Sequence, residues 1–102
     1  MRLSTTWTDG DATRQARDPA VTFNHVANEY LVVWEADGLP TDDEREVFGQ
    51  RLSAAGAEVG ADVRLSRVGT DGDNMRNAGN PVVALNGVAN EYLVAWDADA
   101  LV

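Results

Sequence analysis

The chain has 102 residues, the size of one small domain, and 44% of them are apolar, too many for a disordered segment. Seventeen acidic residues face eight basic ones, all arginine, for a formal charge of −9, which excludes nucleic acid and anionic membrane as partners. There is no cysteine, so disulfides and thiolate metal sites are excluded, and no apolar run is long enough to cross a bilayer.

The N-terminus lacks a basic stretch followed by an apolar one, so no signal peptide is expected. Acidic residues are spread over every predicted loop, which reads as general solubility rather than as one cation site.

In chain order, residues 1–5 match the fourth strand of a preceding unit, and a polar loop runs on to residue 18. Pro19 to Asn24 is a strand opened by a proline, which suits a first position because proline has no N–H to donate. Asn24-His25-Val26-Ala27-Asn28 reads as a tight hairpin connection, with asparagine where turns demand it. Glu29 to Glu35 (Glu-Tyr-Leu-Val-Val-Trp-Glu) is the strongest strand, rich in β-branched and aromatic residues. A charged loop containing Asp37, Asp42, Asp43 and Glu44 follows. Glu46 to Ser53 is the third strand of this unit, 54–60 turns the chain, and Asp62 to Ser66 is the fourth. Helix competes over Thr41–Leu52, which starts with a Thr-Asp-Asp-Glu cap, and over Gln50–Glu58. Val47-Phe48-Gly49 is poor helix material, and strand is preferred.

Residues 2–40 then return at 64–102, at a constant offset of 62 without a gap and with 23 of 39 positions identical. The match peaks at Val26 to Val32 against Val88 to Val94, and Trp34 matches Trp96. The chain thus holds one complete repeat and about two-thirds of a second, with seven strands in all. The division is a last strand and loop over 1–18, a complete four-strand unit over 19–66, and a loop with two strands over 67–102.

Along the strongest strand, Tyr30, Val32 and Trp34 point to one face of the pleat, Leu31 and Val33 to the other. Both faces are apolar, so each such ribbon is expected to lie between two neighbouring sheets. One copy of the chain cannot supply both neighbours for both ribbons. The outer faces of Tyr92–Trp96 and Val82–Leu85 are expected to be open, and open apolar faces and strand edges favour self-association.

The run Asn-Glu-Tyr-Leu-Val-Val-Trp (28–34), then Glu-Val-Phe-Gly-Gln-Arg-Leu (46–52) and Gly-Ala-Glu-Val-Gly (56–60), resembles repeats of bacterial and archaeal β-propeller proteins. The resemblance covers nearly the whole chain and implies an all-β β-propeller fragment of four-stranded antiparallel blades, completed by oligomerisation. It implies a large surface or secreted parent protein and names no activity. The 62-residue period is long for a blade, and the second copy stops before its third strand. On this reading the N-terminal strand of one protomer helps to complete the partial blade of another.

Several groups are candidates for chemistry. Asp9 and Asp11, and in the second copy Asp71 and Asp73, flank a glycine as calcium-loop carboxylates do, so calcium is the one candidate cofactor. The competing reading is an Asp-Gly turn with solvated carboxylates. Asp9 with Glu35 would be the acid–base pair of a glycosidase. His25, the only histidine, has Gly87 as its repeat equivalent, which reads as a loop tip of free side-chain identity. Trp34 and Trp96 read as core, Trp7 as the surface aromatic for a ligand, and Arg14 and Arg76 as partners of nearby aspartates.

The polar residues that stand out recur with the repeat, which is how structural residues behave. The resulting expectation is a non-catalytic structural or binding module that assembles with itself and presents loops to a protein or carbohydrate. The alternatives are a fragment of a propeller hydrolase such as a glycosidase, and an engineered fragment with no ligand of its own.

Overall fold

The computed structural model describes residues 16–37, 45–67 and 77–99. It is all-β. Strands β1 (Ala16–Asn24), β2 (Glu29–Asp37), β3 (Arg45–Ser53) and β4 (Glu58–Arg64) form an antiparallel meander in that order, and β5 (Ala78–Asn86) pairs with β6 (Glu91–Ala98) in a second sheet. Six of the seven expected strands are therefore in place, and the expected strand at residues 1–5 lies outside the described residues. The helical alternative fails: Arg45–Ser53 is extended along its whole length against β2, and a turn follows it.

The two copies of the repeat carry the same local devices. Asn24 Oδ1 accepts the N–H groups of Val26 and Ala27, both at 2.9 Å, and Asn86 Oδ1 accepts those of Val88 and Ala89 at 3.1 and 3.2 Å. An asparagine closes each hairpin in the left-handed region, Asn28 at φ 56° and Asn90 at φ 54°. Its short polar side chain tolerates that conformation better than most residues.

Two strands start earlier than their sequence signals. β1 begins at Ala16, three residues before Pro19, because the proline sits in a bulge between Arg17 and Ala20, with Asp18 at φ 53°. The bulge leaves Pro19 out of the ladder, so its missing N–H costs nothing. Asn80 and Pro81 repeat this bulge in β5. β4 likewise begins at Glu58, within the stretch that reads as a turn. Here Gly60 at φ 76° lies in a bulge, and the Gln50 side-chain amide donates to the carbonyls of Val59 and Gly60, both at 3.1 Å. Gln50 restores hydrogen bonds that the interrupted ladder gives up.

The two sheets pack face to face, with β5 lying against β1, β2 and β3. The core is Leu31, Val33, Val47 and Ala78, with Ala20, Leu65, Val83, Tyr92 and Val94 packed around it. The Leu31/Val33 face of the first ribbon thus meets the Tyr92/Val94 face of the second. These are opposite faces of equivalent strands. In the second sheet it is Leu93 and Val82 that stand open, 69% and 61% exposed, while Tyr92 and Val94 are half-buried. The outer faces of Tyr92–Trp96 and Val82–Leu85 are thus open as expected, through Leu93, Ala95, Val82 and Ala84, and Trp96 is 37% exposed.

Candidate functional site

The seam between the sheets has an apolar middle and a polar cluster at each end. At the hairpin end, Asn24 Nδ2 donates to Asn90 Oδ1 at 2.8 Å, and the Tyr92 hydroxyl donates to Glu29 Oε2 at 2.8 Å. Arg51 reaches the other oxygen of Glu29 at 3.2 Å. Burial raises the Tyr92 pKa above its usual value, and the hydrogen bond to the Glu29 carboxylate raises it further, because both favour the neutral phenol. His25 is exposed and its ring lies over Gly87: a Cβ there would come 2.5 Å from His25 Cε1. A side chain at 87 would displace the exposed His25 ring, and both residues do lie in the hairpin turns.

At the other end a polar cleft of about 550 Å³ surrounds Glu35. Its carboxylate lies 3.6 Å from Arg17 Nε and 3.9 Å from Arg45, and accepts the backbone N–H of Asn80 at 3.2 Å. Asn77 ties the same end together, accepting the Arg45 N–H at 2.7 Å through its side chain. The Glu35 carboxyl is shifted upward from its usual value of 4.5, first by desolvation and then by a hydrogen bond with the Asp18 carboxyl, which together outweigh Asn80 N–H and Arg45. A raised pKa means that the folded state holds the proton more tightly than the unfolded chain. Stability contributed by this group is therefore present below 4.5 and declines as pH rises from there through the raised value. Glu35→Gln is expected to flatten that decline, measured as urea midpoints between pH 4 and about pH 7.

A third cluster is buried within the first sheet, where Glu46 is fully enclosed. Its carboxylate accepts from Arg64 at 3.1 Å and from the Ser66 hydroxyl, and Ser66 Oγ in turn accepts the Val47 N–H at 2.7 Å. This pins the end of β4 to β3, beside the core.

The sequence-derived candidates divide. Asp9, Asp11, Asp71, Asp73, Trp7, Arg14 and Arg76 lie outside the described residues, as does the Asp9 half of the acid–base pair. Trp34 is buried, as expected, with its Nε1 unpartnered among the described residues, while Trp96 is partly exposed. Among the described residues no three His, Asp or Glu side chains converge to hold a metal ion. What sequence reasoning missed are the polar bonds across the seam. A partial signal was present: among the positions where the copies differ, His25/Gly87, Arg17/Gly79 and Glu35/Asp97 lie at the two ends of the seam.

A groove of about 390 Å³, lined by Leu31, Gly49, Val63, Leu65, Tyr92 and Val94, runs beside β6 over the part of the first sheet that the two-strand sheet does not cover. Taken together, these features define an all-β protein whose repeat-built sheets pack face to face through a seam that is polar at both ends. No protein-family model, no curated protein and no solved structure matches the chain.

Proposed function

We propose that the chain is a non-catalytic structural or binding module, a β-propeller segment whose sheets stack as blades, which associates with further copies and offers its loops to a protein or carbohydrate. One observation carries this reading. The two sheets, built from two copies of one repeat, are joined by opposite faces of equivalent ribbons, Leu31 and Val33 against Tyr92 and Val94. Such a contact has a direction, and repeating it generates a stack or a ring rather than a closed pair. Light scattering is expected to give a particle mass of two or more times 11.0 kDa at micromolar concentration. A stable single chain would overturn the self-association.

One observation favours the hydrolase alternative: Glu35, a carboxyl of raised pKa, lines a polar cleft as a general acid would. Against it, that carboxylate is already engaged by Arg17 and Arg45 of its own sheet and by the Asn80 N–H of the other, which ties the two sheets together. Turnover of aryl glycosides that disappears in Glu35→Gln would reverse the preference.

A further inference from the structure

We infer that the two open faces of the molecule are the two halves of one contact, through which a second copy of the chain docks head to tail. This rests on the stacked-sheet reading above and adds which faces meet and in which direction.

The template is the seam inside the chain. There the first sheet presents Ala20, Leu31 and Val33, and the second presents Val83, Tyr92 and Val94. Shifted by the 62-residue offset, the first set becomes Val82, Leu93 and Ala95, all exposed on the outer face of the second sheet. Shifted back, the second set becomes Val21, Tyr30 and Val32 on the outer face of the first sheet, where Val21 is 60% and Tyr30 36% exposed, with Phe23 beside Tyr30 at 5.0 Å between rings. The same chemistry is thus displayed twice, once joined and once apart.

The substitutions between copies suit the second contact. In the seam Val33 is fully buried; its counterpart Ala95 is smaller, and Leu85 gives way to the larger Phe23 on the opposing face. At the hairpin end the seam sets His25 over Gly87, and the docked pair would set Gly87 beneath His25 of the second copy. Either way one imidazole meets one glycine. At the cleft end Gly79 lets the Glu35 carboxylate approach the backbone closely, where a Cβ would push it aside. The docked pair puts Arg17 in that place and the shorter Asp97 opposite it, trading a close approach for an ion pair. The polar bonds have counterparts too: Asn86 and Glu91 of one copy would take the roles of Asn24 and Glu29 toward Asn28 and Tyr30 of the other.

The test blocks each face in turn. Val21→Arg and Leu93→Arg change well-exposed side chains, so each chain is expected to keep its strand circular dichroism. Each alone is expected to run as a single chain of 11.0 kDa by light scattering, and an equimolar mixture as a dimer, since each partner retains the face the other has lost. A variant that keeps the wild-type particle mass shows that its face is not in the contact, and overturns the inference while leaving self-association standing. A wild-type protein that is itself a single chain removes both. Should either arginine variant fail to fold, Asn28→Cys and Asn86→Cys chains with a short thiol cross-linker replace them, the native chain having no cysteine. Cross-linking in the mixture and in neither chain alone supports head-to-tail docking. Cross-linking of either chain with itself, or none in the mixture, overturns it.

Discussion

Val33→Asp is expected to unfold the protein at neutral pH, seen as loss of the strand signal in far-ultraviolet circular dichroism without denaturant. Val33 is fully buried in β2, paired across the ladder with Ala20 on one side and Gly49 on the other, and packed in the core that joins the sheets. An ionised carboxylate there loses its water and gains no cation. The cost is expected to exceed about 5 kcal/mol, comparable with the whole stability of a domain this size, on the order of 5–15 kcal/mol. Val33→Ala keeps the pocket apolar and should cost only about 1–3 kcal/mol. The repeat supplies an internal control. Ala95 is the counterpart of Val33, on a strand of nearly identical sequence, yet it is exposed. Ala95→Asp is expected to leave the fold intact and to lower the particle mass. Equal destabilisation by the two changes would show that the sheets do not pack by the Leu31/Val33 face.

Glu46→Ala is expected to destabilise the chain by about 3–5 kcal/mol, read from urea midpoints. The carboxylate is fully enclosed, and its removal deprives Arg64, itself mostly buried, and Ser66 of the acceptor they share. The loss would come less from the missing attraction than from the guanidinium left desolvated without that partner. A Glu46→Leu/Arg64→Leu double variant removes both charges together and is expected to recover much of the stability, since a buried ion pair gives little net gain over apolar packing. If the double variant were as unstable as Glu46→Ala, the cluster's contribution would lie in the backbone ties through Ser66 rather than in the charges.

The agreement between sequence and structure follows the range of the forces involved. Hairpin connections were legible because Asn24 and Asn86 bond backbone groups only two and three residues away. The bulges at Asp18-Pro19 and Asn80-Pro81 were not legible, since a proline at a strand start and one in a bulge leave the same trace; only the pairing register tells them apart. Gly60 misled for a related reason: its left-handed φ is as much a bulge feature as a turn feature, and the deciding partner, Gln50, lies on another strand. The seam clusters were hidden because their members are far apart in the chain, 66 residues for Asn24 and Asn90 and 45 for Glu35 and Asn80.

Composition, alternation and the 62-residue repeat were enough to settle that this is an all-β chain with two copies of one strand-rich unit, because strand and turn preferences act over a handful of residues. They also placed Tyr30 and Leu31 on opposite faces. Which of those faces meets the other sheet was beyond them, for both are apolar and burial rewards either equally. That choice was made by long-range packing: the smaller Ala20, Leu31 and Val33 surface accepts the bulkier Tyr92 and Val94, with Glu35 and Asn24 bonding across the two ends.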